Sequence, residues 1–219
     1  MSAKGKADYT ADNITYDSHG MASFDVMNNG KMLGRFTLCV PGEHNVSNAL
    51  AAIAVADFLE ISSDMINQGL GEFHGTNRRF EFKGKLKDIT ILDDYAHHPT
   101  EIKATLNAAR KYTDGRVVCI FQPHTYTRTK ALFDEFVDAL TGADVVVMVE
   151  IYAAREKDTL GMSSALIRDA LISRGVESYY FSTFDEIENH LLEKSLPGDL
   201  LITMGAGNVV EIGEHLLGK

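Results

Sequence analysis

Apolar and polar positions fall into two regimes along the chain. Up to about residue 40 the apolar positions form short, partly alternating runs at 14–16, 21–27 and 32–40, the period expected of half-buried strands. The segments Asp17-Ser18-His19-Gly20 and Asn28-Asn29-Gly30-Lys31 separate them and are strong turn signals. Residues 41–48 then open an alanine-rich helix, and a second helix is predicted near 64–70 with Ser62 or Ser63 as N-cap. A meander of this size has one face to bury and is marginal alone, so it is expected to belong to a larger sheet. His74 to Asn77 reads as a polar loop, and Arg78-Arg79-Phe80-Glu81-Phe82 as a return to extended structure. A domain boundary is expected around 76–79, giving domains of 1–77 and 78–219.

Beyond that boundary the pattern becomes regular β-α alternation. Strands are predicted at 90–92, 117–121, 145–150, 178–181 and 200–203, and helices at 100–112, 129–140, 163–174, 184–192 and 208–217. The runs Val117-Val118-Cys119-Ile120-Phe121 and Val145-Val146-Val147-Met148-Val149 are continuously apolar, as parallel strands covered on both faces require. The fold class is therefore α/β: an open, mostly parallel sheet with helices on both faces, preceded by an incomplete β-meander plus helices.

Charge narrows the list of partners. The 219 residues carry a net charge of −10, which argues against a nucleic-acid surface, since a phosphate backbone needs a basic footprint. A small anion held by a few local cations stays open. Apolar content of 45% with 24% charged residues is ordinary for a globular protein. The opening residues carry no signal-peptide pattern, and no apolar run approaches the roughly 20 residues of a membrane span, so a soluble, cytoplasmic protein is expected. Cys39 and Cys119 both sit in apolar runs and read as buried free thiols of a reducing compartment.

Polar clusters recur just after predicted strands: Asp93-Asp94-Tyr95-Ala96-His97-His98, Gln122-Pro123-His124-Thr125-Tyr126-Thr127-Arg128, Glu150-Ile151-Tyr152, and Met204-Gly205-Ala206-Gly207-Asn208. In a parallel sheet these gather along one rim, where open α/β sheets bind ligands. The first cluster is too polar to bury cheaply and reads as a site placed on a strand-to-helix connection. Its carboxylates and imidazoles suit a divalent ion, but the spacing matches no standard zinc signature, so no metal ligand is assigned. Surface or half-buried histidines beside a helix start are the plainer reading of His97 and His98, with Thr100 as that helix's N-cap. Gly205-Ala206-Gly207 lacks the third glycine of the dinucleotide fingerprint; it reads as a tight turn whose amides could face an anion. Phe-Glu-Phe alternation after Arg78 and Arg79 would put one arginine on each face of a strand. Arg128 near a helix start opposes the helix dipole, which suits a clamp with His124 on a phosphate or carboxylate. Asn45 and Asn48 lie one helical turn apart, and their amides suit a nucleobase or ribose, although Asn45 also fits as a helix cap.

In this order, the segments Gly42-Glu43-His44-Asn45-Val46-Ser47-Asn48-Ala49, Arg78-Arg79-Phe80-Glu81, Asp93 to Glu101, Phe121 to Thr129 and Gly205-Ala206-Gly207-Asn208 resemble the Mur ligases. These are ATP-dependent, amide-forming enzymes of peptidoglycan precursor synthesis, and the resemblance covers nearly the whole chain from about residue 8. It implies a Rossmann-like C-terminal domain for 78–219 and the end of the central ATPase domain for 1–77. Within the family the motifs are most similar to those of the members that join L-alanine to UDP-N-acetylmuramate through an acyl phosphate; the murein tripeptide recycling ligases are the nearest rival. ATP, UDP-N-acetylmuramate and L-alanine are the implied substrates and magnesium the implied cofactor, its ligands mostly in family segments that this sequence lacks. The Gly-rich phosphate loop ending in Gly-Lys-Thr is likewise not in the sequence, so the chain alone is expected to be inactive. By resemblance, His44, Asn45, Asn48, Arg79 and Asp94 contact ATP. Tyr95, His97, His98, His124 and Arg128 face the muramoyl and alanine side, and Arg79, His124 and Arg128 are catalytic. Some relatives carry arginine where this chain has Thr125, which changes the anion clamp. A non-catalytic nucleotide-binding module and a metal hydrolase built on Asp94, His97 and His98 are the alternatives. Apolar strands within 1–78 are expected to leave exposed edges or to self-associate.

Overall fold

The computed structural model describes residues 7–219, which divide into two compact units, one up to Gly75 and one from Thr76 to Lys219. The first unit holds an antiparallel sheet of β1 (Tyr9–Tyr16), β2 (Met21–Asn28) and β3 (Lys31–Pro41) in that order. Asn29 and Gly30 both adopt positive φ, 48° and 80°, so Asn-Gly makes the two-residue turn whose twist matches the strands it joins. Every second residue of β2 points inward (Ala22, Phe24, Val26), and Phe36 and Leu38 of β3 join them. Two helices, α1 (Glu43–Phe58) and α2 (Ser63–Glu72), complete this core through Val46, Ala49, Leu50, Ile53 and Ile66. The spacing i, i+3, i+4, i+7 in α1 is that of one buried helical stripe. Ser62 caps α2 by accepting from Met65 N. The meander expected to enter a larger sheet stands here as its own three-stranded sheet, because the two helices give its one apolar face something to cover.

The second unit is built on a six-stranded sheet. Its strands are β4 (Glu81–Leu86), β5 (Ile89–Asp94), β6 (Val117–Phe121), β7 (Val145–Met148), β8 (Glu177–Tyr180) and β9 (Leu200–Met204). The order is β4-β5-β9-β6-β7-β8, with β4 antiparallel to β5 and every other pairing parallel. The intervening helices are α3 (Pro99–Tyr112), α4 (Tyr126–Ala131), α5 (Phe133–Leu140), α6 (Ser164–Ser173), α7 (Phe184–Lys194) and α8 (Val210–Leu216).

Two cores lie on the two faces of this sheet. In β6, Val117, Cys119 and Phe121 pack with Ile102, Leu106, Phe136, Leu140 and Leu171, while Val118 and Ile120 pack with Ile187, Leu191 and Ile212. This double cover is why the central strands are apolar throughout. The helix predicted over 129–140 is two helices, broken at Leu132 (φ −115°, ψ 27°), with Leu132 and Phe133 turned onto the first core. Cys119 is buried, and burial pushes its thiol up; Cys39 is only half-buried, because it lies on the less covered side of β3. Among the described residues no helix is long and apolar enough to cross a membrane.

Gly115 precedes β6 with no room for a side chain: an added Cβ would lie 2.0 Å from the Gly198 carbonyl oxygen. Gly115→Ala is expected to destabilise the second unit by about 2–3 kcal/mol, the scale of an unrelieved overpacking. Gly69→Ala, in mid-α2 with nothing within 4 Å, should instead stabilise the first unit by about 0.5–1 kcal/mol. Denaturant unfolding followed by amide spectra of each unit checks both signs.

Candidate active site

The site is built from strand ends. Because β5, β9, β6 and β7 are parallel, the loops after them meet along one rim of the second unit. Asp93 and Asp94 are not on the connecting loop that the sequence suggested; both are the last residues of β5 and both are buried. Burial is tolerated because each carboxylate is saturated with donors. Asp93 accepts from Arg78 Nε at 2.9 Å and from Thr203 Oγ1 at 2.7 Å. Asp94 accepts from the backbone N–H of Phe80 and of Ala96, both at 2.8 Å. Burial pushes both carboxyls above their ordinary range, and these donors oppose it.

Arg78 and Arg79 do not begin a strand with alternating faces. They lie in a turn ahead of β4, in which Arg78 (φ 59°) and Phe80 (φ 48°) take left-handed conformations that cost a non-glycine residue about 1 kcal/mol or more each. The turn is held by Glu81, which accepts from Arg78 N at 2.7 Å, and by Asp94 on Phe80 N. Its result is that the Arg78 guanidinium enters the rim. Beyond Asp93, Arg78 donates through Nη1 to the Gly207 carbonyl at 3.0 Å and through Nη2 to the Gly205 carbonyl at 2.8 Å. Gly205-Ala206-Gly207 therefore turns two carbonyls onto an internal cation. Arg79 is exposed, and both guanidinium carbons approach the Tyr95 ring, at 4.9 Å for Arg78 and 5.7 Å for Arg79.

A row of rings follows Tyr95. Tyr95 meets His97 edge-on at 5.5 Å between centroids, His97 lies 6.2 Å from His124, and His124 stacks on Tyr152 at 5.5 Å. His97 Nδ1 lies 2.9 Å from the Tyr95 carbonyl and so donates to it, and 3.5 Å from Glu101 Oε2. Glu101 is raised by burial, but backbone N–H bonds from His97 and His98 and the charges of His97 and Arg79 hold it below the ordinary range. His98 proves to be the N-cap of α3 in place of Thr100. Its side chain accepts from Thr100 N at 3.4 Å, Glu101 answers on the His98 N–H, and Pro99 takes the first helical position. Proline there needs no N–H donor, which moves the start of the helix ahead of Thr100.

His124 and Arg128 carry the site's unmet bonding. Among the described residues, His124 Nδ1 and Arg128 Nη1 are buried side-chain nitrogens without a partner. Such groups are rare in folded proteins and costly. Burial lowers the His124 pKa first, and the charges of Arg128 and His97 lower it further, so the ring is neutral at pH 7. Thr125, between them, holds a left-handed φ of 69° while its N–H donates to the Tyr152 carbonyl at 2.9 Å. Glu156 fastens the following helix by accepting from Thr127 N at 2.9 Å and Thr127 Oγ1 at 2.5 Å.

Gln122 and Gly207 close the rim from below. Gln122 accepts from Val209 N and donates to Asn208 Oδ1, each at 3.1 Å. An added Cβ on Gly207 would stand 2.3 Å from Gln122 Oε1 and 2.8 Å from the Tyr152 ring. Sequence reasoning did not single out Arg78, Gln122 or Tyr152 as site-builders; the signal for Gln122 and Tyr152 was their place just after a strand. In the first unit, His44, Asn45 and Asn48 lie in the first turns of α1. Asn45 Nδ2 donates to the Pro41 carbonyl at 2.8 Å, and Asn48 Nδ2 donates to Asn45 Oδ1 at 3.0 Å, which leaves Asn48 the exposed end of the pair. Asn45 is thus no N-cap; Gly42 holds that position.

Sequence profiles locate this architecture among known proteins. Residues 78–207 match the Mur ligase glutamate ligase domain, and residues 1–56 match the Mur ligase middle domain. The chain belongs to the Mur ligase family. Among related Mur ligases, the UDP-N-acetylmuramate–L-alanine ligase of Agathobacter rectalis is 57% identical over 98% of this chain and 47% of its own length. The solved UDP-N-acetylmuramate–alanine ligase of Thermotoga maritima superposes with a TM-score of 0.83 at 31% identity, covering 97% of this chain and 46% of that one. A murein peptide ligase from Psychrobacter arcticus gives 0.68 at 30% identity over 97% of this chain and 44% of that one. The chain thus spans about half the length of the curated Mur ligases it matches.

Two outcomes follow for the rim. Arg78→Ala leaves Asp93 buried without its cation and frees two carbonyls, so stability should fall by about 3 kcal/mol, and Arg78→Lys should not restore it, since an ammonium lacks the fork that reaches three acceptors. Thermal and denaturant unfolding of both variants measures this. For His124, the unfolded chain binds more protons between the depressed folded value and 6.5, so its contribution makes stability rise with pH across that window. Inorganic phosphate beside Arg128 offsets the cationic field and should raise the His124 pKa; NMR titration of the ring with and without phosphate reads the shift.

Proposed function

We propose that this chain is the amino-acid-facing part of an ATP-dependent, cytoplasmic ligase that joins L-alanine to the carboxylate of UDP-N-acetylmuramate in peptidoglycan precursor synthesis. The observation that carries the reading is the adjacent pair of unsatisfied buried nitrogens, His124 Nδ1 and Arg128 Nη1, in a chain of this family. A neutral imidazole can take a proton from an ammonium, and a guanidinium with a free N–H can hold a carboxylate or phosphoryl oxygen. Both are needed when an amine displaces phosphate from an acyl phosphate. The amine nitrogen bonds to the acyl carbon, the carbon–oxygen bond to phosphate breaks with its electron pair on oxygen, and the nitrogen loses a proton. We assign that proton to His124 and the developing negative charge to Arg128, with positioning and fixed charge supplying most of the acceleration.

Arg79, exposed and held over Tyr95, is the second cation of this reading and is assigned to the phosphates of ATP. Tyr95 and His97 border the substrate side, and His98 supports them as the cap of α3. Asp94 serves ATP indirectly, since its Oδ2 holds the Phe80 N–H of the turn that presents Arg79 while its Oδ1 holds Ala96 N–H beside Tyr95. Exposed Asn48, steadied by Asn45, and His44 beside them suit the polar edge of the nucleotide. Magnesium is implied by the family, but among the described residues no group of three His, Cys, Asp or Glu could hold a metal ion, so no residue here is assigned to it and no step is routed through it.

In a full-length ligase containing this sequence, phosphate release should require ATP, UDP-N-acetylmuramate and L-alanine together. Arg128→Ala should lower kcat/KM about 10²–10³-fold, the scale of losing one donor aimed at developing charge. Release that needs a tripeptide in place of L-alanine would move the assignment to the recycling ligases. The 219-residue chain alone, whose sequence has no Gly-Lys-Ser/Thr phosphate loop, should show no ATP-dependent ligation; turnover by it would overturn the reading.

A further inference from the structure

We propose that Tyr152 is the positioning residue for His124, fixing the plane of the imidazole. The inference rests on reading His124 as the proton-accepting group of the site. Three independent constraints converge on Tyr152: a backbone bridge, a ring stack and a glycine behind the ring. Its N–H donates to the Pro123 carbonyl and its carbonyl accepts from Thr125 N, both at 2.9 Å, so its backbone brackets His124 on the two sides. His124 and Tyr152 form an isolated parallel bridge outside the named strands. The two rings stack at 5.5 Å with 28° between planes. Behind the phenol ring the chain is reduced to Gly207, where even a Cβ would collide with it.

The segment bearing Tyr152 is itself anchored. Glu150 accepts from Ile151 N at 2.9 Å and from the Tyr180 hydroxyl at 2.5 Å, which ties the segment to β8. That bond pushes the Tyr180 hydroxyl up to about 12 and keeps it a donor throughout the physiological range. The chain of contacts therefore runs from the edge strand through Glu150 to Tyr152 and on to His124. A stacked ring covers one face of the imidazole and sets the direction in which its ring nitrogens point, the buried and unpartnered Nδ1 among them. Arg128, His97 and Glu156 are the charged or titratable groups that act on the same imidazole, and none of them restrains its plane by stacking on it as Tyr152 does.

The test uses the 219-residue chain and no substrate. Long-range proton–nitrogen NMR spectra report the pKa of His124, and proton–proton NOEs its ring orientation, in Tyr152→Phe, Tyr152→Leu and Tyr180→Phe. Tyr152→Phe keeps the stacked ring and should match the parent chain. Tyr152→Leu keeps apolar cover but no ring plane, and should loosen the orientation of the imidazole and, by relieving its burial, move the pKa toward the ordinary 6.5. Tyr180→Phe, which leaves Tyr152 untouched, should move both in the same direction by less. A folded Tyr152→Leu variant, judged by its amide spectrum, with the parent ring orientation and pKa would overturn the proposal. So would a Tyr152→Phe variant that behaves like Tyr152→Leu. The ligase reading is tested separately by amino-acid-dependent phosphate release, so failure of one is distinguishable from failure of the other.

Discussion

The second unit depends on one half-buried cation. Arg78 joins the carboxylate at the end of β5 to the two glycine carbonyls after β9, two strands that are neighbours in the sheet but more than a hundred residues apart in sequence. An isolated buried charge is costly, and that of Asp93 is tolerated because Arg78 and Thr203 donate to it while the two carbonyls hold the guanidinium in place. The same requirement explains the strained turn ahead of β4. Only with Arg78 and Phe80 left-handed does the guanidinium reach the rim while the next arginine stays outside. Adjacent residues of one type thus acquire opposite duties, one in architecture and one toward solvent.

That arrangement sets the electrostatics of everything beside it. Asp93 and Asp94 look in the sequence like a reactive pair, yet both spend their lone pairs inside the fold. Unsatisfied bonding lies two strands over, beyond β9, at His124 and Arg128, where the left-handed Thr125 turns the chain from β6 into α4. A low-dielectric setting with a neutral imidazole beside a fixed guanidinium favours groups that carry negative charge and shed protons.

Much of this was legible in the sequence. Continuous apolar runs at Val117–Phe121 and Val145–Met148 announce strands covered on both sides, and polar clusters after successive strands announce a shared rim, because both signals depend only on local periodicity. What escaped depends on partners far along the chain. The burial of Asp93 is unreadable without Arg78 and Thr203, and nothing local distinguishes Arg78 from Arg79. The cap of α3 was misplaced because His98 is an uncommon capping residue, whereas Thr100 is a common one. The break at Leu132 carries no glycine or proline; it is imposed by apolar side chains that reach the core only if the helix restarts.

Strand order has a temporal side. The strand made last, β9, lies in the middle of the sheet, with β5 on one flank and β6 on the other. Until residue 204 has been synthesised, β5 and β6 each lack a neighbour, and Arg78 lacks two of its acceptors. Parallel pairings between distant segments form slowly because loop closure precedes any gain from contact. The rim that gathers the candidate chemistry is therefore incomplete until β9 and the loop after it have been made, and a nascent chain interrupted before β9 holds two apolar strand edges open to other chains.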